Sequence, residues 1–187
     1  MVFGDIHFDR FENHDYGWVD KKGFRGEIEG YCKLSKHNWG ALSKRISDTL
    51  KREKISAIVQ LGDLSEGLAG SPQKARQMAE STLGAIREIQ SEVPWVLVKG
   101  NHEITGPGAK EAYREIYTPF VRSQLKDSSI ASANYAYTFG NVLLVCADSF
   151  EMEADFLDKL ERTFANSVAK RKFLLLHEPL FPANKFC

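Results

Sequence analysis

Four short apolar runs in this sequence share one kind of ending, and it constrains the fold more than any other feature. Each run is rich in aliphatic or β-branched residues and predicts a buried strand. The runs are residues 1–3, 55–61, 93–98 and 173–176, and they precede Asp5 and His7, Asp63, Asn101 and His102, and His177, respectively. Open α/β sheets bind ligands at the carboxyl ends of their strands. The four endings therefore predict one shared site.

The residue types at these endings are typical metal ligands. Carboxylate, amide and imidazole groups suit divalent and trivalent ions of borderline hardness. Glycine precedes the polar residues in three of the four endings and allows close approach of the backbone. A single Gly-Asp pair after a strand is common turn chemistry, so the prediction depends on the set. The ending Gly100-Asn101-His102-Glu103 is the most specific member.

Composition narrows the class of protein. A chain of 187 residues predicts a single domain, residues 1–187. Lys+Arg and Asp+Glu both number 25, so no overall charge favours nucleic acid or an anionic membrane. No apolar run is long enough for a bilayer and no signal peptide is present, which favours a cytoplasmic location. Three scattered cysteines (Cys32, Cys146 and Cys187) predict neither a disulfide framework nor a cysteine-based zinc site.

Residues 8–37 show no lasting helical or strand periodicity, and they predict a long loop. The loop begins beside Asp5 and His7, so one interpretation is a lid that faces the substrate. An Ω-loop packed on its own aromatic residues is an equal alternative. Arg10 and His37 lie in this segment and are candidate substrate-binding residues.

The remaining patterns predict an α/β fold with two sheets. Asn38 is expected to cap one helix, and Pro72 is expected to begin a second. These helices alternate with the first three strands and predict a parallel sheet. A further helix around Tyr113 is expected to be interrupted at Pro119.

The second half of the chain has a different pattern. Residues 135–139 and 142–147 flank Gly140-Asn141 and predict an antiparallel hairpin. An amphipathic helix carrying Met152, Phe156, Leu160 and Phe164 then leads to the strand before His177. This half predicts a second sheet packed against the first.

The ordered motifs resemble those of the calcineurin-like metallophosphoesterases. The motifs are Gly4-Asp5-Ile6-His7, Gly62-Asp63, Gly100-Asn101-His102-Glu103 and His177 after three leucines. The resemblance covers nearly the whole chain and implies an αββα sandwich of two mixed sheets flanked by helices. It also implies two metal ions, with manganese, iron or zinc expected. It implies these ligands: Asp5 and His7 on the first ion, Asp63 on both, Asn101 and His177 on the second.

The resemblance further implies metal-dependent hydrolysis of a phosphate monoester or diester. A hydroxide bridging the two ions would attack phosphorus, and His102 would stabilise or protonate the leaving oxygen. Glu66 would pair with His102 and tune its pKa. Asn101, His102, Arg10 and His37 would contact the substrate, which could be a nucleotide. Family phosphatases carry an arginine where this chain has Gly67, which weakens a protein phosphatase assignment.

One departure from the family pattern keeps a second function open. The family has a closing Gly-His-x-His motif, and no histidine follows His177 in this sequence. We expect that the sequence lacks a C-terminal part of the fold; completion by a partner chain and a metal-poor relative are the alternatives. The functional classes are therefore a metallophosphoesterase and a non-catalytic binding or scaffold module with the same fold.

Overall fold

The computed structural model describes residues 1–151 and 154–179. Within that part of the chain, six strands form two three-stranded sheets. The strands are β1 (Val2–Phe3), β2 (Ile58–Gln60), β3 (Trp95–Leu97), β4 (Tyr135–Phe139), β5 (Val142–Cys146) and β6 (Arg171–Leu175). The helices are α1 (Tyr16–Lys22), α2 (Arg25–Arg52), α3 (Pro72–Glu88), α4 (Ala109–Ala112), α5 (Thr118–Leu125) and α6 (Phe156–Asn166). The predicted α/β class with two sheets is confirmed.

The first sheet has the order β1-β2-β3, and its strands are parallel as predicted. Val59 pairs with Val2 on one side and with Val96 on the other. Every residue of β2 and β3 is buried, as expected for parallel strands covered on both faces. The three strands end at the same edge, and the chain leaves that edge through the predicted polar residues.

The second sheet has the order β4-β5-β6. β4 and β5 form the predicted antiparallel hairpin, whereas β6 runs parallel to β5. Leu160 and Phe164 of α6 pack on Leu143 and Val145 of β5. Met152, which the sequence pattern assigned to this helix, lies outside the described residues. The pairing of β6 brings the chain to His177 beside the end of β5.

The prediction of a loop over residues 8–37 is wrong. This segment contains a 3₁₀ turn (Phe11–Asn13), α1 and the first half of α2. Asp15 caps α1 by accepting hydrogen bonds from the backbone N–H groups of Gly17 and Trp18. Gly23 ends α1 in the left-handed conformation, with φ 78°. Only two residues in this part of α2, Ile28 and Cys32, are buried, so the helix carries too short an apolar stripe to be recognised.

Two helix boundaries also differ from prediction. Asn38 lies within α2, which begins at Arg25, so it caps no helix. Pro119 does not end the helical segment, but the α-helical hydrogen bonding is broken just before it by a π-helical turn (Tyr113–Tyr117) that joins α4 to α5. Pro119 stands in the first turn of α5, where a backbone N–H is not needed.

The two sheets are connected by polar contacts as well as by apolar packing. The hydroxyl of Tyr135 in β4 donates to the carbonyl oxygen of Leu97 in β3 and accepts from its N–H, at 2.9 and 3.0 Å. Lys99 follows β3 and is 3% exposed. It forms ion pairs with Asp148, which is also buried, and with Glu151 at 2.9 Å. These contacts fix the ends of both sheets relative to each other.

None of the described helices combines the length and apolar composition needed to cross a bilayer.

Candidate metal centre

The loops after β1 and β2 hold three predicted ligands in left-handed backbone conformation. The φ angles are 53° at Asp5, 46° at His7 and 54° at Asp63. Asp and His tolerate this region better than most residues, although it still costs energy. The N–H of Asp5 donates to Gly62 O and the N–H of His7 donates to Asp63 O, both at 3.0 Å. These bonds join the two loops and bring ligand atoms of Asp5, His7 and Asp63 within 4.8 Å of one another.

Asp63 lies at the middle of the centre. Its Oδ2 atom faces three histidine nitrogens: Nε2 of His177 at 3.3 Å, Nε2 of His7 at 3.7 Å and Nε2 of His102 at 4.0 Å. Its Oδ1 atom accepts from the backbone N–H of His102 at 2.9 Å. Burial acts to raise the pKa of Asp63, but hydrogen bonds from His177 and from the His102 amide lower it overall. Asp63 is therefore a carboxylate with one oxygen directed at the surrounding imidazoles.

The three histidines share one orientation, with Nε2 towards Asp63 and Nδ1 directed away to an anchoring oxygen. The anchors are Glu66 Oε2 for His7 at 2.7 Å, the Glu66 carbonyl for His102 at 2.5 Å and the Leu61 carbonyl for His177 at 2.9 Å. Metal-binding histidines commonly donate Nδ1–H to such an oxygen, which leaves Nε2 free for the ion. The orientation suits ligand binding by His7 and His177.

The carboxylate of Glu66 faces two histidines and forms a hydrogen bond with one of them, His7. Its carboxylate binds Nδ1 of His7, and its Oε1 atom lies 3.7 Å from Nδ1 of His102. His102 is anchored by the backbone of Glu66 instead. The side chain of Glu66 is completely buried, and burial raises its pKa. Its carboxylate thus orients His7 and lies within ion-pair distance of His102, and its effect on His102 stays a prediction.

Asn101 and His177 meet at the other side of Asp63. Asn101 Oδ1 lies 3.0 Å from His177 Nε2, although the two residues come from different sheets. The hydrogen bond to Asp63 is the main cause that raises the pKa of His177 to about 9, against the effect of burial. The amide oxygen, the imidazole and the shared carboxylate form a second group of donors beside that of Asp5 and His7.

Two glycines make this close approach possible. A Cβ atom on Gly100 would collide with Asp63 Oδ1, and one on Gly62 would collide with the ring of His177. Gly62 also has φ 102°, which side chains rarely permit. The glycines that precede the polar residues are therefore required by the packing of the centre itself.

Two residues that support the centre were not assigned a role from the sequence. Glu103 is buried, and its carboxylate accepts from four backbone N–H groups, those of Asp63, Leu64, Ser65 and Gly100, at 2.8–3.0 Å. The side chain of Gln60 bonds both the N–H and the carbonyl of Gly62. Glu103 stands within the recognised Gly-Asn-His-Glu motif, which was the available signal. Nothing in the sequence indicated the role of Gln60, because a single polar residue at a strand end is not diagnostic.

The predicted substrate-binding residues outside the motifs are placed differently from one another. Arg10 lines a cavity of about 450 Å³ with Lys36 and Trp39. A neighbouring cavity of about 240 Å³ contains Asp5 and His7, and both cavities are lined by Trp39. His37 is exposed on α2 and lines neither of these cavities.

The donor set fits a metal ion. Carboxylate oxygens, an amide oxygen and imidazole nitrogens converge on one space, with no thiol among them, which suits ions of borderline hardness. Neighbouring donors on one ion with bonds of about 2.0–2.2 Å lie roughly 3–3.5 Å apart. The separation between Asp63 Oδ2 and His177 Nε2, 3.3 Å, lies within that spacing, and that between Asp63 Oδ2 and His7 Nε2, 3.7 Å, lies just beyond it.

Comparison with known families agrees with the geometry. Among curated proteins, none matches this sequence. The family model for calcineurin-like phosphoesterases matches residues 1–186, which is almost the entire chain. That family implies metal-dependent hydrolysis of phosphate esters. The chain belongs to the calcineurin-like phosphoesterase family.

Proposed function

We propose that this protein hydrolyses a phosphate monoester or diester at a centre of two metal ions. Asp5 and His7 would hold one ion, and Asn101 and His177 would hold the other. Asp63 would be shared. Manganese, iron and zinc all suit this mixture of oxygen and nitrogen donors. When bound, such ions neutralise phosphoryl oxygens and make water a better nucleophile.

The observation that carries this proposal is the position of Asp63 Oδ2. It lies between the donor group of the first sheet and His177, which comes from the second sheet, with His7 Nε2 at 3.7 Å and His177 Nε2 at 3.3 Å. A carboxylate oxygen in that position can serve two ions. A merely structural ion pair would need only one of these histidines.

His102 has the placement of a group that acts on the leaving oxygen. Its Nδ1 is bound to the Glu66 carbonyl, so Nε2 faces the space around Asp63. Its side chain is 19% exposed, which leaves room for a substrate. From Nε2 it would donate a hydrogen bond or a proton to the ester oxygen as that oxygen departs.

The cavity lined by Arg10 is the proposed site for the rest of the substrate. Arg10 and Lys36, which line this cavity together with Asp9 and Glu12, would bind an anionic group, and Phe11 and Trp39 would contact an apolar or aromatic part. A nucleotide has both features. His37 lines neither cavity. Of the two candidate residues Arg10 and His37, we therefore propose a substrate-binding role only for Arg10.

The test combines metal analysis with assays of two variants. Asp63→Asn keeps the side-chain shape and tolerates left-handed backbone, so we expect a folded protein that has lost both metal ions and activity. We expect His102→Ala to keep its metal content and to hydrolyse alkyl phosphates about 10²–10⁴-fold more slowly, with a smaller loss on nitrophenyl esters, whose leaving group needs no proton.

Asp48→Asn, on the exposed face of α2, is the matched control and should behave as the parent. Unchanged metal content in Asp63→Asn would refute the shared ligand. Full metal content without turnover of nitrophenyl monoesters and diesters would favour the binding or scaffold function. The ratio of the two nitrophenyl activities assigns the protein as phosphatase or phosphodiesterase.

A further inference from the structure

A second cluster of ligand-type side chains lies where the segment after His7 meets α2, and two of its members also line the cavity that contains Arg10. It consists of Asp9, His14 and Cys32, which are 1%, 4% and 1% exposed. One ligand atom of each lies within 4.8 Å of the other two. None of these residues belongs to the motifs that the family shares. We propose that the cluster is a separate site for a zinc ion, which goes beyond the proposed function.

His14 has the orientation seen in the three histidines of the metal centre. Its Nδ1 lies 3.2 Å from the carbonyl oxygen of Leu68, and its Nε2 lies 2.7 Å from Asp9 Oδ2. When Nδ1–H donates to Leu68, a neutral imidazole directs the lone pair of Nε2 at the carboxylate. Two acceptors that face each other in a buried space need a cation between them. A proton or a metal ion can fill that role.

The third ligand distinguishes a metal from a proton. The thiol of Cys32 lies 3.4 Å from Asp9 Oδ2, the same oxygen that faces His14. A zinc ion with bonds of about 2.3 Å to sulfur and about 2.0 Å to oxygen separates those ligands by roughly 3.5 Å. The sulfur and oxygen are already at that separation. Zinc needs only a modest widening between His14 and Asp9.

The hydroxyl of Tyr16 gives an independent indication. Its oxygen is buried and has no hydrogen-bond partner among the described residues. The Tyr16 ring packs beside the ring of His14, with the two ring centroids 6.2 Å apart. A buried hydroxyl without a partner is costly. A water molecule on the fourth position of a tetrahedral zinc ion would give this hydroxyl a partner.

The charge balance is also consistent with zinc. Burial and the charge of Asp9 raise the pKa of the Cys32 thiol, so the thiolate does not form unaided. Binding of Zn²⁺ releases the thiol proton to solvent and creates the thiolate as a ligand. One Zn²⁺, one thiolate and one carboxylate sum to zero, so the filled site buries no net charge. The ion would fix α2 and the loop after His7 in one arrangement.

Cobalt substitution tests this site separately from the catalytic centre. A thiolate bound to Co²⁺ gives an intense near-ultraviolet charge-transfer band, whereas the donors proposed for the catalytic centre include no thiol. We expect the intact protein loaded with Co²⁺ to show this band. Cys32→Ser should lose the band and one equivalent of metal. Asp63→Asn should keep the band, because it changes only the catalytic centre. The test of the zinc site therefore gives a result even if the proposed function is wrong.

Cys146→Ser and Cys187→Ser are the controls for the other thiols and should keep the band. If Cys32→Ser fails to fold, X-ray absorption at the zinc edge of the parent protein still decides, because it should show one sulfur at about 2.3 Å. The absence of a thiolate band and of a zinc–sulfur distance at full metal loading would overturn the proposal. A doubly protonated His14 ring under the same conditions, measured by NMR, would identify a proton as the cation instead.

Discussion

Glu103 shows how one buried side chain can set the shape of the candidate metal centre. Oε1 accepts from the N–H groups of Leu64 and Ser65, and Oε2 accepts from those of Asp63 and Gly100. Burial raises the pKa of Glu103, and the backbone bonds offset part of that effect. In Glu103→Gln the amide NH₂ would face two N–H donors. Each buried donor left without an acceptor costs about 1–3 kcal/mol, so we expect a loss of about 2–6 kcal/mol in unfolding free energy.

Urea denaturation of metal-free protein measures this loss without interference from ion binding. Glu111→Gln is a matched control, because Glu111 is exposed on α4 and should change the unfolding free energy by less than about 0.5 kcal/mol. A Glu103→Gln protein that unfolds at the parental urea concentration would contradict this role. The same variant should bind metal more weakly, since Asp63 is held through its own N–H.

Residues with intrinsic ligand chemistry are the ones that sequence reasoning could find. Asp5, Asp63, Asn101 and His177 stand at strand ends, and the structure brings them to one centre. Roles that depend on geometry were not accessible. The carboxylate of Glu66 forms its hydrogen bond with His7 and lies 3.7 Å from His102, an arrangement set by the conformation of the loops. Likewise, nothing in the spacing of Asp9, His14 and Cys32 indicates that they meet.

Tyr135 satisfies the backbone groups on the edge of β3 that faces away from β2. β3 pairs only with β2 among the described strands, so the other side of Leu97 needs a partner for its N–H and carbonyl. The Tyr135 hydroxyl serves both groups. Tyr135→Phe removes this partner and leaves a buried backbone donor. We expect a loss of about 1–3 kcal/mol in unfolding free energy and faster hydrogen exchange at the Leu97 amide.

Tyr137→Phe is the appropriate comparison, because Tyr137 lies two residues further along β4 and packs against Phe139. The described residues provide no hydrogen-bond partner for its hydroxyl, so this change should alter neither stability nor exchange at Leu97. Equal exchange rates in the two variants would show that the Tyr135 bond does not protect the edge.

Helices and strands were predicted correctly where their residues form a clear apolar pattern, and they were missed where few residues are buried. β4 is rich in aromatic residues and β5 is a continuous apolar run, with a Gly-Asn turn between them, and the sequence located both strands to within a residue. α2 has 28 residues but buries only Ile28, Cys32 and Ile46, so its first half gave no periodic signal. Helix caps mark the ends of α1, with Asp15 at its start and Gly23 at its end, and the apolar cluster beneath it is small, with Val19, Ile28, Cys32 and Leu68 buried. A pattern based on burial cannot detect a helix that is mostly exposed.

Lys99 joins the two sheets through a buried ion pair with Asp148. Its side chain and that of Asp148 are each 3% exposed, and they come from the ends of β3 and β5. Removing one partner of a buried ion pair leaves the other charge unpaired. We therefore expect Lys99→Met to lower the unfolding free energy by about 3–5 kcal/mol.

Lys110→Met is the exposed counterpart. Lys110 pairs with Glu151 at 3.3 Å with half of its side chain exposed, so its removal should cost no more than about 1 kcal/mol. The double change Lys99→Met and Asp148→Leu should recover much of the loss, because no lone charge then remains buried. A double variant as unstable as the sum of the two single variants would show that the two residues do not interact.

The left-handed backbone at Asp5, His7 and Asp63 has a consequence for sequence drift. These φ angles of 46–54° exclude β-branched residues and favour Gly, Asn, Asp and His. Three of those four residue types are themselves capable of coordination. A random replacement that the chain tolerates at these positions is thus biased towards another side chain that can hold an ion. The backbone conformation by itself therefore favours substitutions that keep a ligand-type side chain at these positions, independent of selection for activity.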